Sequence, residues 1–331
     1  MTDPIRSKPS ETARFCAAGA TDVGRKRKHN EDTILCRPDL GLFLVADGMG
    51  GHSAGDIASA LAAESIEQFF EDTEVDWAPG SSLPDYPDIE PSAARLVLAI
   101  RCANDDVVAA SLENAARKGM GTTIVAVHLS PDGMIHIAHV GDSRCYRIGT
   151  GDIEQVTQDH SFINNVKWSQ PSIGDDVMAA IPKNIITRAL GTKDAVEVEV
   201  RSEMTLPGDT YLLCSDGLSG MVAASDIQRV VECADDPQQA CKELIARANR
   251  AGGKDNISVV TIRIDERREP APSTRSVSYE SVNSALRYDQ TIGSWLCSNC
   301  GHEYVDGTVF CVECGTAFLP NCETGETNPP R

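Results

Sequence analysis

Three aspartates of this chain stand where an apolar, strand-like run meets a turn. Asp47 and Asp216 each follow such a run, and Asp255 comes just before one. The end of a strand holds a carboxylate on a rigid support while its oxygens reach into a cleft, which is what a site for hard cations requires. For each aspartate taken alone, an ordinary turn residue is an equally good interpretation, because Asp is common in turns. The three together are candidates for one metal site.

Carboxylates at these positions suit a particular chemistry. Oxygen ligands favour magnesium or manganese over zinc, and none of the three positions is a thiolate. Two such ions held about 3.5–4 Å apart can activate a water as a nucleophile and neutralise the oxygens of a phosphate ester. A phosphate monoester is very inert, so its hydrolysis at neutral pH needs both contributions.

Four of the twelve cysteines form two close pairs near the C-terminus, Cys297 with Cys300 and Cys311 with Cys314, and a glycine follows each pair. Four thiolates at this spacing predict one tetrahedral zinc with no open position for catalysis. A module this small buries too little apolar surface to fold unaided, so zinc is expected to stabilise a ribbon at 294–320. The other cysteines are scattered, which indicates core thiols in a reducing compartment.

A series of short motifs follows along residues 13–264. In chain order they are TDVGRKRKHNED (21–32), VADGMGGH (45–52), MGTT (120–123), VGDSR (140–144), TQDHS (157–161), ITRALG (186–191), LCSDGL (213–218) and DNIS (255–258). Each is weak alone, but the ordered set resembles the bacterial form of the type 2C metal-dependent serine/threonine protein phosphatase family. The resemblance implies an enzyme that hydrolyses phosphoserine and phosphothreonine in proteins.

The resemblance also implies metal ligands. Asp47 would bridge two magnesium or manganese ions, and the Gly48 carbonyl would complete the protein ligands of the first ion. Asp216 and Asp255 would bind the second ion. Together with Asp216, Asp142 would hold a third, looser ion.

Further residues gain roles from the same resemblance. Glu31 and Asp32 would hold waters of the second ion from its outer shell. Arg27 matches the arginine that grips the phosphate, and a guanidinium fork suits two phosphate oxygens better than an ammonium. Arg27 thus joins the three aspartates as a catalytic residue. The run 25–29 has an alternative interpretation as a basic surface or nucleic-acid patch, and Arg25 competes with Arg27 for the role.

Composition narrows the possible partners and the compartment. A formal net charge of -19 argues against binding to nucleic acid or anionic lipid, and residues 288–330 contain no Lys or Arg. No apolar run approaches the roughly 20 residues of a membrane span, and the N-terminus does not read as a secretory signal. We therefore expect a cytoplasmic monomer with no membrane or nucleic-acid partner, while a protein contact through the ribbon stays open.

Strand-like runs alternate with helical periodicity between 15 and 264. The predicted strands are 42–46, 122–129, 134–140, 145–148, 196–201, 210–214 and 257–264, and the predicted helices are 54–70, 91–118 and 237–251. Tight turns such as 131–133 favour antiparallel hairpins, so we expect an α+β fold, a layered sandwich of two antiparallel β-sheets flanked by α-helices. The predicted organisation is a phosphatase domain at 13–264, a linker at 265–293, the ribbon at 294–320, and disordered tails at 1–12 and 321–331.

Two other functions stay open at this point. The large domain could be a catalytically silent, phosphatase-like adaptor that binds phosphoproteins, or a platform within a ribbon-bearing regulatory factor. Missing metal carboxylates would favour a silent domain, and none is missing. The leading hypothesis is an active phosphatase that opposes a Ser/Thr kinase, with two or three manganese or magnesium ions and one structural zinc as its cofactors.

Overall fold

The computed structural model describes residues 14–50, 54–73, 88–169, 185–266, 286–289 and 294–297, together with the single residues 83, 85, 86 and 181. The chain divides into two compact units, 1–268 and 269–331. The strands are β1 (Arg14–Asp22), β2 (Asp32–Arg37), β3 (Leu42–Met49), β4 (Gly121–Thr122), β5 (Ile124–Leu129), β6 (Met134–Val140), β7 (Arg144–Gly149), β8 (Asp152–Gln155), β9 (Glu199–Met204), β10 (Thr210–Cys214), β11 (Ile257–Glu266), β12 (Leu286–Asp289) and β13 (Ser294–Cys297). The helices are α1 (Gly55–Asp72), α2 (Pro91–Glu113), a short 3-10 helix (Ala115–Arg117), α3 (Phe162–Ser169), α4 (Asp216–Ser219), α5 (Ala224–Cys233) and α6 (Pro237–Arg250).

The larger unit contains two antiparallel sheets. One has the strand order β1-β11-β10-β7-β8, and the other has the order β2-β3-β5-β6-β9 with β4 paired to β3. Helices α1 and α2 lie against the second sheet, and α6 lies against β1 and β11 of the first. The predicted sandwich of two antiparallel sheets flanked by helices is therefore confirmed.

Strand β3 shows how the sequence builds these layers. Its alternate residues Leu42 and Leu44 join the core under α1 and α2, whereas Phe43 and Val45 join the core between the two sheets. Because both faces are covered, the strand is a continuous apolar run, and each large side chain so buried contributes roughly 1.5–3 kcal/mol. The same alternation turns the side of β3 that carries Asp47 toward the opposite sheet.

Two predicted elements are interrupted in the structure. The predicted strand 122–129 divides into β4 and β5 at Thr123, whose backbone N–H donates to the carbonyl of Asp47 at 2.9 Å instead of continuing a ladder. The predicted helix 91–118 ends at Glu113, because Asn114 takes an extended conformation and its side chain caps the following 3-10 turn. Both breaks come from polar contacts that compete with regular hydrogen bonding.

Several elements are absent from the sequence-based assignment or displaced from it. Strand β1 contains Ala, Gly and Thr rather than an apolar alternation, and it forms because its full length pairs with β11. Strand β9 begins at Glu199, three residues later than predicted. Strand β12 lies inside the segment assigned to the linker and pairs with β13, so ordered structure in the second unit begins before residue 294. In the part of the chain that is described, no helix combines the length and apolarity needed to cross a membrane.

Buried histidine makes stability depend on pH. His128 on β5 is 5% exposed and packs edge-to-face on Phe70 at 4.9 Å. Burial, with smaller contributions from His136 and Arg95, lowers the pKa of His128 to about 3. Since the unfolded chain takes up this proton near pH 6.5, the stability contributed by neutral His128 is complete above that pH and is lost as pH falls toward 3.

We predict that His128 makes the protein about 2 kcal/mol less stable at pH 5 than at pH 7.5. Urea unfolding of the wild type and of His128→Leu at both pH values measures this term as the difference between their pH dependences. Leu keeps the site apolar and does not titrate. The His128→Leu variant should therefore lose less stability on acidification than the wild type. Equal pH dependence in the two proteins would contradict the assignment.

Candidate active site

The predicted metal residues gather at one end of the two sheets. Asp47 lies near the end of β3, directly across the ladder from Asp32 on β2. Asp216 is the first residue of α4, two residues after the end of β10, and Asp255 lies two residues before β11. Strands β10 and β11 are neighbours in the first sheet. Four carboxylates from two different sheets thus meet in one cleft.

Electrostatic coupling shows how close these carboxylates are. Burial raises the pKa of Asp47 well above its ordinary value, and the charges of Asp32, Asp216, Asp142 and Asp255 raise it further. The pKa of Asp216 is also raised, first by burial and then by Asp255, while a hydrogen bond with Asp47 opposes the rise. Charges that disfavour one another this strongly call for a compensating cation.

Asp32 is held by a pair of hydroxyls. Ser215 donates its Oγ–H to Asp32 Oδ2 at 2.8 Å and accepts the backbone N–H of Ser258 at 3.0 Å. Burial raises the pKa of Asp32 to about 7, although hydrogen bonds from Ser258 and Ser215 oppose the rise. The second carboxylate oxygen, Oδ1, is buried with no hydrogen-bond partner among the described residues.

Asp142 approaches the same cleft from the turn between β6 and β7. Burial and the charge of Asp216 raise its pKa to about 7. Its Oδ1 is likewise buried without a partner in the described part of the chain. The next cation in sequence, Arg144, is already engaged by Asp159 at 2.7 Å. Asp142 therefore has an oxygen available for a ligand.

These observations fit divalent cations. Among the described residues, the candidate ligands of the cleft are oxygen donors, and two of these oxygens are buried and unpaired. Hard ions with flexible, carboxylate-rich coordination, such as magnesium and manganese, match that donor set, whereas zinc favours nitrogen and sulfur. Acidic clefts of this kind are typical of metal-dependent enzymes that act on phosphate esters.

Arg27 lies at the edge of the acidic cleft. Its Nη2 is 2.7 Å from Asp255 Oδ2 and its Nη1 is 3.7 Å from Glu31. Burial works against the charged guanidinium, but the hydrogen bond to Asp255 and the charges of Glu31 and Asp47 raise the pKa of Arg27. The side chain is 48% exposed, so it faces both the carboxylates and solvent. Arg25, the competing residue, contacts Gly253 through its backbone N–H.

Gly48 sits where no side chain fits. A Cβ at this position would lie 2.1 Å from the Gly55 carbonyl oxygen and 2.5 Å from that of Glu31. The Gly48 N–H donates to the same Glu31 oxygen at 3.1 Å. This close approach joins the start of α1 to the ends of β2 and β3, next to Asp47.

Some residues of the motifs position the candidate ligands, although the sequence alone indicates no role for them. Asn256 accepts the Glu31 N–H at 2.9 Å and donates to the carbonyls of Val23 and His29. Thr123 accepts the Asp47 N–H on its Oγ1 at 3.2 Å. An amide or hydroxyl adjacent to a candidate ligand is the only local signal for such roles.

A separate cavity of about 960 Å³ lies beside α2 and the segment 194–200, and Tyr86, Arg101 and Asn104 also line it. None of the predicted metal residues lines it. Three of the ribbon cysteines, Cys300, Cys311 and Cys314, and the side chain of Cys297 lie outside the described residues.

Comparisons with known proteins identify the families that this chain resembles. A family model described as Protein phosphatase 2C matches residues 24–251, and a zinc-ribbon domain model matches residues 296–318. The serine/threonine phosphatase stp of Listeria monocytogenes is 34% identical over 248 residues, which are 74% of this chain and 94% of that protein.

Solved structures of serine/threonine phosphatases have a similar fold. The crystal structure of the Mycobacterium tuberculosis serine/threonine phosphatase PstP/Ppp has a TM-score of 0.65 at 31% identity, covering 76% of this chain and 99% of that one. A structure of the PstP catalytic domain in complex with two manganese ions has a TM-score of 0.64 at 30% identity, with the same coverage. This chain belongs to the protein phosphatase 2C family. Both resemblances found in the motifs are confirmed.

Proposed function

We propose that this chain is a metal-dependent protein phosphatase that hydrolyses phosphoserine and phosphothreonine in proteins. The observation that carries the proposal is the meeting of Asp47, Asp216 and Asp255 from both sheets beside Arg27. The relatives support it, since they are named serine/threonine phosphatases and match most of the chain.

The family resemblance and the placement of the carboxylates support one set of metal ligands. Asp47 would contribute to two ions, the Gly48 carbonyl to the first of them, and Asp216 with Asp255 to the second. Asp142 would hold a third ion with Asp216, and its unpaired Oδ1 supports this role. When bound, such ions acidify water and neutralise the charge on phosphate oxygens. Manganese or magnesium fits the oxygen donors.

The chain's own side chains bind and orient the substrate. Arg27 receives two phosphate oxygens on its guanidinium, and its 48% exposure leaves a path from solvent. Glu31 lies 3.7 Å from Arg27 and, with Asp32, would hold waters around the second ion. The Ser215 hydroxyl fixes the orientation of Asp32 through a 2.8 Å hydrogen bond.

The zinc-ribbon match supports a structural zinc at the C-terminal cysteines. Cys297, Cys300, Cys311 and Cys314 would supply four thiolates, the ligand set of a structural zinc. Metal binding then contributes the folding free energy that so small a module lacks. The ribbon is acidic and has no Lys or Arg between residues 288 and 330, so a protein partner suits it better than nucleic acid.

The cellular setting is part of the same proposal. Phosphoproteins are the substrates, a Ser/Thr kinase is the opposing enzyme, and the protein acts as a monomer in the cytoplasm. The scattered cysteines support a reducing compartment, since Cys36, Cys145, Cys214 and Cys241 are buried and unpaired. The silent-adaptor alternative has no support, because every metal carboxylate is present in the cleft.

The test is phosphate release by the purified full chain from a phosphothreonine peptide. We expect turnover with manganese, loss with EDTA, and recovery when manganese is restored. Native mass spectrometry should show one zinc per chain, retained under mild chelation, and additional divalent ions that EDTA removes. Peptide binding with no phosphate release at any metal concentration would refute the enzyme and favour the adaptor, and absence of zinc would refute the ribbon site.

A further inference from the structure

A rigid basic loop borders the active site. This rim loop, residues 24–29, is clamped at both ends by one side chain, because Asn256 Nδ2 donates to the carbonyls of Val23 and His29 at 3.0 and 2.9 Å. The Arg25 N–H donates to the Gly253 carbonyl at 2.7 Å. Gly24 has a φ of +79°, and a Cβ there would lie 2.1 Å from the Asp255 carbonyl oxygen. The loop is therefore held tightly against the segment that carries Asp255.

Apart from Arg27, the cations of the rim loop make no ion pair with a described residue. Arg25, Lys26 and Lys28 are exposed and make no ion pair with any described residue, and the same holds for Lys254, which adjoins Asp255. Arg27 is the one cation of this loop that pairs with carboxylates in the described part of the chain.

Several arginines elsewhere on this unit are paired with carboxylates, unlike most cations of the rim loop. Arg37, Arg144 and Arg201 each pair with carboxylates at 2.9 Å or less. The chain as a whole carries a formal net charge of -19. Arg25, Lys26, Lys28 and Lys254 therefore form a positively charged patch beside the acidic cleft of a negatively charged protein. Such a patch attracts anions that approach the cleft.

We propose that the rim loop recognises acidic groups that flank the phosphorylated residue of a protein substrate. The inference rests on the proposed phosphatase function and names a class within it: phosphoproteins with carboxylates, or a second phosphate, a few residues from the scissile one. Arg27 engages the phosphate to be removed, while Lys26, Lys28 and their neighbours pair with the flank. A polyanion such as nucleic acid fits less well, because its length would extend over the acidic remainder of the surface.

Two lysines allow a clean test. Lys26→Ala/Lys28→Ala removes two charged side chains that make no hydrogen bond or ion pair with a described residue. The fold should therefore be unaffected. Lys118→Ala/Lys242→Ala is the matched control, since both residues are exposed and outside the loop. Three phosphothreonine peptides serve as substrates, with a flank of Glu, a flank of Gln, and a flank that carries a second phosphate.

We expect the wild type to favour the Glu and doubly phosphorylated peptides over the Gln peptide in kcat/KM. The loop variant should lose about fivefold on the two acidic peptides, since each exposed pair contributes a few-fold, and the effect should fade at high salt. The control variant should retain the preference. Both variants should keep wild-type activity toward p-nitrophenyl phosphate, which has no flank. A preference for only one acidic peptide would identify carboxylate or phosphate as the recognised group.

Recognition of the acidic flank can be tested separately from catalytic turnover. Peptide affinities of Asp47→Asn and of its Lys26/Lys28 variant, measured by calorimetry, report flank recognition without turnover. Equal wild-type kcat/KM on all three peptides would overturn the inference while leaving the enzyme intact. Equal losses in the loop and control variants, or tighter binding of a single-stranded oligonucleotide than of the acidic peptides, would overturn it as well.

Discussion

Replacing Asp47 with Asn is expected to lower kcat/KM on a phosphothreonine peptide by about 10³-fold or more, because the substitution removes the charge of the proposed bridging carboxylate. The same change should raise the thermal midpoint of the metal-free protein. In the absence of cations, the Asp47 carboxylate is buried among Asp32, Asp216, Asp142 and Asp255, and its raised pKa reflects that cost. A neutral amide of the same shape avoids it.

Steady-state kinetics with saturating manganese and thermal unfolding with EDTA measure the two effects. Asp39→Asn is the control, since Asp39 is 62% exposed and pairs with Arg37 at 2.7 Å, at the turn end of the β2–β3 hairpin. We expect its activity to stay within about twofold of wild type. Full activity in Asp47→Asn would end the assignment, and lost activity with a lowered midpoint would point to damage of the fold.

Gly217→Ala is expected to have the second largest effect. A Cβ on Gly217 would lie 1.8 Å from the Asn256 carbonyl oxygen and 2.8 Å from its carbon. Neither atom is the end of a flexible side chain, so the backbone segments that carry Asp216 and Asp255 must separate. We expect a loss of unfolding free energy on the order of 3 kcal/mol, and at least about a 10²-fold drop in kcat, because small displacements of reacting groups are costly.

Gly149→Ala provides the matched control for this substitution. Its Cβ would meet only Asp209 Oδ1 at 3.6 Å, which is an ordinary contact. The free energy of unfolding measured in urea and the kcat of this variant should therefore stay close to the wild-type values. Near-normal stability and activity in Gly217→Ala would show that the two ligand segments can part without affecting the cleft, and would contradict the close packing at this point.

The local features that the sequence predicted well are those with a local cause. Strands β6 and β10 begin and end at the predicted residues, since each is a compact apolar run bounded by turn residues. The aspartates at the strand ends were also recognised, because an acid that interrupts such a run is visible in the sequence itself. Strand β1 was missed, since its small residues carry little strand preference of their own and its partner β11 is far along the chain.

The supporting contacts of the cleft had no such signal. Ser215 and Asp32 are 183 residues apart, and Asn256 reaches Val23 across 233 residues. Side-chain hydrogen bonds over these separations depend on how strands distant in the chain pack, within one sheet or between the two, and no periodicity of one segment reports that. The same holds for the depressed pKa of His128, which results from the burial of this side chain, in contact with Phe70 of α1.

The amino-acid sequence by itself determined the donor types, the order of the motifs and the period-2 alternation that turns Asp47 inward. These properties belong to single residues and short segments, so they survive without knowledge of the fold. Tertiary structure alone decided which oxygens meet, which remain unpaired, and where Arg27 and the rim loop lie relative to them. The carboxylates of the cleft are far apart in the chain. They come together, lose their water and repel one another only after the two sheets have packed together.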